Sequence, residues 1–193
     1  AKQDAEKLSG KGDTSQKLTL MKTSADSLKK SADALNDSSL WEKKKIKKKD
    51  EKTGEEIAVE DYDWDKITKA VKSFVEDYND VVKEAGESNT KDVLRNASWM
   101  TGMTDKNSNM LAKIGITIGK GNKLELDEDA LKQADISSLK TVFTGYNSFV
   151  SKISQKATGI SNAANRASAT YTNNGTYSKT DSSLTSSKID KEV

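Results

Sequence analysis

Between Ile136 and Tyr171 the apolar residues fall at Ile136, Leu139, Phe143, Tyr146, Val150, Ile153, Ala157, Ile160, Ala164, Ala167 and Tyr171, in steps of three and four throughout. Such spacing presses one stripe of an α-helix against a partner helix, so it predicts a continuous seam helix of ~54 Å in a bundle or coiled coil. Bulky residues give way to alanine after Ile153, which implies close helix approach at the far end. Gly145 and Gly159 fall on the outer face of this repeat and are expected to weaken the helix by about 1 kcal/mol each without touching the seam.

A second seam repeats the pattern near the start of the chain. Leu18, Met21, Ala25, Leu28, Ala32 and Leu35 step three and four from a helix that begins at Thr14 and ends near Asn36 to Ser39. A third helix, from about Asp65 to Ala85, carries Ile67, Val71, Phe74, Tyr78, Val81 and Ala85, widened by Ala70, Val75 and Val82 into a stripe for two neighbours, with Gly86 as its stop. The fold class that follows is mainly α, an elongated antiparallel helical bundle or coiled coil with two small β-hairpins.

Composition excludes more than it suggests. The 193 residues contain no proline, cysteine or histidine, so helices run uninterrupted and the usual soft-metal ligands, thiol nucleophiles and imidazole bases are missing. No cofactor, metal site or catalytic residue is expected, and the chain reads as a non-enzyme. The 32 basic and 30 acidic residues leave a net charge of +2, and little of the basic charge is arginine, which argues against nucleic acid. No apolar run approaches the ~20 residues of a membrane span. The chain starts at Ala1 rather than Met, which suggests processing or a piece of a longer protein.

Residues 41–64 are the most polarised part of the sequence. Trp41 to Lys49 holds six lysines, and Glu55, Glu56, Glu60, Asp61 and Asp63 answer them. Folding back around Glu51–Gly54 sets Lys44 opposite Asp61, Lys45 opposite Glu60, Ile46 opposite Val59, Lys49 opposite Glu56 and Trp41 opposite Trp64, which pairs charge with charge and apolar with apolar. Asp61, Asp63 and Asp65 begin like a calcium loop, but Lys66 and Lys72 stand where glycine and a bidentate glutamate are required.

Further along, Asn89 or Thr90 caps a short helix with apolar contacts at Val93, Leu94, Ala97, Trp99 and Met100, ended by Gly102. Ile116 and Ile118 alternate with Thr117, and Leu124 and Leu126 with Glu125, around Lys120-Gly121-Asn122, so a second hairpin is predicted near 114–126. Asp127 opens a short helix, and Asp135 caps the long one. The domain plan is a flexible lead-in at 1–13, a helical bundle domain at 14–171, and a polar, mobile tail at 172–193.

Three phrases, in order, resemble the C-terminal region of the bacterial flagellar filament-capping, or hook-associated, protein family: FVEDYNDVVKEA at Phe74–Ala85, LAKIGITIGKGNKLELDEDALKQA at Leu111–Ala134, and VFTGYNSFVSKISQKATG at Val142–Gly159. The second is the most specific. The resemblance implies a secreted structural protein of the bacterial flagellum or cell surface whose N- and C-terminal helices pair, which self-associates and helps flagellin or other axial proteins assemble. Family members carry large β-rich domains between the first helix and the Phe-Val-x-x-Tyr-Asn helix. Here only the 41–64 hairpin occupies that place, which points to a shortened relative.

Two functional readings follow. In the first, the chain is an assembly protein, and its working residues are the seams: Leu18, Met21, Leu28 and Leu35, Phe74 and Tyr78, and Val150, Ile153, Ala157, Ile160, Ala164 and Ala167, with part of a seam kept for a neighbouring subunit. In the second it is a surface adhesin or binding module on a helical stalk, with Trp41, Tyr62 and Trp64 meeting a host or cell-wall ligand. Those aromatics equally serve to clamp the hairpin onto the bundle.

Overall fold

The computed structural model describes residues 12–170 and contains, among these, seven α-helices and two antiparallel two-stranded sheets. The expected tail at 172–193, all but the end of the expected lead-in, and Tyr171 lie outside the described residues.

The first helix, α1 (Ser15–Asn36), starts where Thr14 accepts a hydrogen bond from Lys17 N at 3.2 Å, and it buries Leu18, Met21, Ala25, Leu28, Ala32 and Leu35, the whole of the predicted stripe. A 3₁₀ turn at Ser38–Trp41 leads into the hairpin of β1 (Lys44–Lys49) and β2 (Glu56–Asp61). Asp63 then caps α2 (Trp64–Ala85), whose buried face runs from Ile67 to Ala85. Next come α3 (Lys91–Lys106), a short α4 (Ser108–Ala112), a second hairpin of β3 (Ile116–Ile118) and β4 (Leu124–Leu126), α5 (Glu128–Gln133), α6 (Ile136–Phe143) and α7 (Phe149–Ala169).

Four long helices form the body: α1 packs against both α2 and α7, and α7 packs against α3. The α1–α7 pair is antiparallel and registered by two polar rungs one heptad apart. Ser154 Oγ donates to Asp33 at 2.7 Å and Ser161 Oγ to Asp26 at 2.5 Å. Burial opposes ionisation of both aspartates, but hydrogen bonds from Lys22 and Ser161 to Asp26, and from Lys29 and Ser154 to Asp33, outweigh it and hold the carboxyls below their ordinary range. A hydrophobic seam alone tolerates sliding by a heptad; these rungs supply one more reason for a single alignment.

The 136–171 seam is two helices rather than one. It breaks after Phe143: Gly145 adopts φ +97°, its N–H donates to Asn36 Oδ1 at 2.7 Å, and Ser148 caps α7 by accepting from Ser151 N at 3.1 Å. Tyr146, placed in the seam by its spacing, is 82 % exposed. The resulting 21-residue α7 is about 31 Å long. Gly159 is also misplaced by the continuous-seam reading. A Cβ there would lie 2.7 Å from Asn96 Oδ1, so this glycine faces α3 at a close helix crossing.

Helix α3 runs straight through Gly102, whose missing side chain faces open space, and ends four residues later at Lys106. Helix α4, which the sequence reading passed over, fills the gap to the second hairpin.

The break between α6 and α7 lets aromatic side chains from four segments converge. Phe143 at the end of α6 stacks on Trp41 at 5.6 Å, and Phe74 of α2 meets Phe143 at 6.5 Å and Phe149 of α7 at 6.3 Å, both edge-on. Edge and offset contacts of this kind add ~0.5–1.5 kcal/mol per pair beyond burial.

Candidate assembly surfaces

The seam residues lie inside the chain. Leu18, Met21, Leu28 and Leu35 of α1, Phe74 and Tyr78 of α2, and Val150, Ile153, Ala157, Ile160 and Ala164 of α7 are all buried, while Ala167 is half-buried. The packing of α1 on α7 consumes the small-residue stripe within one copy. Charging Ala164 therefore disrupts the fold rather than a surface.

The three aromatics at the base of the first hairpin separate. Trp41 is not paired with Trp64 across the strands: it is 1 % exposed, and its indole N–H donates to Leu35 O at 2.7 Å, so it is a core residue that ties the end of α1 to α6. Tyr62 and Trp64 are half-buried and meet edge-on at 6.4 Å, with Lys43 Nζ 5.7 Å from the Tyr62 ring. Together with Ile46, Lys47, Lys48, Asp63 and Asp65 they line an open groove of about 350 Å³ under the hairpin.

The hairpin register is the expected one from Lys44 opposite Asp61 to Lys49 opposite Glu56, with Lys47 and Lys48 opposite Ala58 and Ile57. The ion pairs run diagonally instead of directly across: Lys48 to Asp61 at 2.5 Å and Lys47 to Glu56 at 3.5 Å. The second hairpin likewise pairs Ile116 with Leu126 and Ile118 with Leu124, turning through Gly121 and Asn122 at φ 67° and 61°.

Two further exposed apolar residues sit on α3. Leu94 and Trp99 are 40 % and 44 % exposed, although their spacing suggested core contacts. Lys156 of α7 lies over the Trp99 ring at 4.3 Å, and Leu94 borders an open groove of about 430 Å³ between α2, α3 and the second turn.

Sequence reasoning missed a buried polar latch. The Asp13 side chain is fully buried and accepts from Ser88 Oγ at 2.6 Å, Thr90 Oγ1 at 2.7 Å, Thr90 N at 2.9 Å and Asn89 N at 3.1 Å, with Lys17 Nζ at 3.1 Å. Burial works against the charge, but these donors outweigh it and hold the carboxyl far below its usual range. The end of the expected lead-in is thus pinned to the α2–α3 corner. The side chain of Thr90 makes no capping bond to α3; its hydroxyl donates to Asp13 instead.

The phrases singled out in the sequence have physical roles. In the Tyr-Asn pair of α2, Tyr78 OH donates to Thr104 Oγ1 of α3 at 2.9 Å, while Asn79 clamps β4 by accepting from Leu124 N at 2.7 Å and donating to Leu124 O at 2.9 Å. In the Ile-Gly-Ile-Thr phrase, Gly115 takes φ +83°, and a Cβ would lie 2.6 Å from Asp127 O and 2.9 Å from Leu131 N. Only glycine fits where β3 crosses the start of α5. No group of residues among those described could hold a metal ion, and no described helix is long and apolar enough to cross a membrane.

Sequence comparison matches residues 88–192, more than half of the chain, to the family described as flagellar hook-associated protein 2 C-terminus. The chain belongs to the flagellar hook-associated protein 2 family. The match takes in the second and third phrases and the helices α3 to α7, while Phe74–Ala85 lies before it. No curated protein and no solved structure gives a significant match. Hook-associated protein 2 is a structural protein of the extracellular flagellar cap that self-associates and caps the flagellin filament. In this chain a 12-residue pair of strands connects α1 to α2, so the member is a shortened one in its middle part.

Proposed function

We propose that the chain is a working filament-cap component: a secreted protein that self-associates at the filament tip and promotes flagellin assembly without the large middle domains. The observation that carries this reading is the continuity of the helical core. The family match spans α7, and α7 is fully seated on α1 across the shortened middle, so the paired-helix framework is complete within the described residues. The seam residues serve assembly by holding that framework rigid, and Ala167, half-buried near the end of α7, is the seam position open to a neighbour.

The test combines sedimentation velocity with a tip-binding assay. Expected results are a mass that rises with concentration, and gold-labelled chain found at filament ends, where it permits added flagellin to extend them. A strict monomer that decorates neither ends nor sides of filaments would overturn the reading.

A further inference from the structure

We propose that copies of this chain join through the edges of the first hairpin, the basic edge of β1 in one copy accepting the acidic edge of β2 from the next as an added antiparallel strand. This deepens the self-association proposed above by naming its contact. The two strands form a sheet of their own, and no other described strand pairs with either outer edge.

The direction of the free backbone groups follows from the ladder. Asp50 N donates to Glu55 O at 2.9 Å, which makes Asp50 and Glu55 a hydrogen-bonded pair. By alternation Lys48–Ile57, Ile46–Val59 and Lys44–Asp61 are also hydrogen-bonded pairs. Lys45, Lys47 and Lys49 therefore aim their N–H and C=O groups away from β2, and Glu56, Ala58 and Glu60 aim theirs away from β1.

Charge then selects the mode of contact. Two β1 edges would set lysines against lysines, and two β2 edges would set Glu56 and Glu60 against each other; like charges directly opposed are destabilising. A β1 edge meeting a β2 edge in the same register as the hairpin itself places Lys45 opposite Glu60 and Lys49 opposite Glu56. The internal ion pair of Lys47 with Glu56 does not prevent this, because both side chains are largely exposed, at 79 % and 61 %, and such pairs are worth little. The lysines that guard the edge against indiscriminate pairing thus admit one partner, the acidic edge of a second copy. The contact is heterologous, so it propagates head to tail into a ring or an open array and cannot stop at a symmetric dimer.

Proline at an outward-facing edge position removes an edge donor without breaking the internal ladder, so Lys47→Pro blocks the β1 edge and Ala58→Pro blocks the β2 edge. In sedimentation velocity on the full chain, each variant alone is expected to be monomeric at concentrations where the parent associates, and their equimolar mixture is expected to form a dimer and nothing larger. Retained hydrogen-exchange protection of the Ile46 and Val59 amides verifies that each variant keeps its hairpin. The parent assembly should also weaken at least tenfold between about 0.1 M and 1 M salt, as the screening length falls from ~10 Å to ~3 Å.

Association that survives either proline in a protected hairpin, or that ignores salt, overturns the edge contact while leaving self-association standing. A parent chain that stays monomeric up to about 1 mM overturns both.

Discussion

Replacing Asp13 with alanine tests how the start of α1 is held. The substitution strips the acceptor from two backbone N–H groups, of Asn89 and Thr90, and from the hydroxyls of Ser88 and Thr90. The hydroxyls can turn to water, and Thr90 N keeps Ser88 Oγ at 3.1 Å, so part of the loss is recovered. Hydrogen bonds to a charged group contribute roughly 1.5–3 kcal/mol each, and two such bonds without full replacement put the cost at about 3 kcal/mol. For a chain of this size that is about 6–12 °C in Tm, at ~2–4 °C per kcal/mol. The pH dependence has a defined sign. The folded carboxyl is depressed below the ordinary value of 3.8, so its contribution is fully present above pH ~4, the unfolded value, and is lost as pH falls toward the folded one. Urea denaturation followed by circular dichroism should therefore show the gap between parent and Asp13→Ala at full size at pH 6 (about 3 kcal/mol) and shrinking as pH drops below about 4. A gap under about 1 kcal/mol at pH 6, or one that does not shrink in acid, would refute the reasoning.

Gly115→Ala is expected to cost about 2–4 kcal/mol, because it combines a left-handed backbone with a Cβ driven into the backbone of α5; unchanged thermal stability would sink the assignment. Trp41→Ala should cost about 3–5 kcal/mol by opening a cavity beside Phe143. Acrylamide should quench Trp99 readily and spare Trp41, read from single-tryptophan variants. Burial, only partly offset by the hydrogen bond to Thr104, pushes the Tyr78 phenol up to about 12. Its stabilisation is accordingly present below pH ~10, the unfolded value, and is lost as pH rises from there toward 12; ultraviolet titration should find this tyrosine ionising late.

Local pattern carried the elements whose partners share the same pattern. The α1 stripe needed only its own period, and the first hairpin was registered by Lys44, Lys45 and Lys49 facing Asp61, Glu60 and Glu56 a short way along the chain. The α6–α7 break was hidden because Phe143, Tyr146 and Val150 keep the three–four spacing across a loop by coincidence. The signals against continuity were Gly145 and the Asn147-Ser148 pair ahead of Phe149, which are turn and cap chemistry. Gly102 was given the weight that Gly145 deserved. Apart from Lys17 four residues on, the partners of Asp13 lie 75 to 77 residues away and no period relates them, so the sequence did not reveal the latch. Burial of the α7 seam against α1, and the exposure of Trp99 on α3, depend on which helices neighbour which, and spacing along one helix does not encode that.

The hairpin between α1 and α2 brings the chain out of the bundle and returns it at one address. Lys44 and Asp61 are partners across the strands, and Asp50 and Glu55 close the last rung before the turn. Cα atoms of such a hydrogen-bonded pair lie about 5.5 Å apart. A folded module with its own two ends at that spacing could be spliced between Asp50 and Glu55 without moving a helix. The bundle thereby acts as a socket whose cargo can grow or shrink while the plug stays the same width.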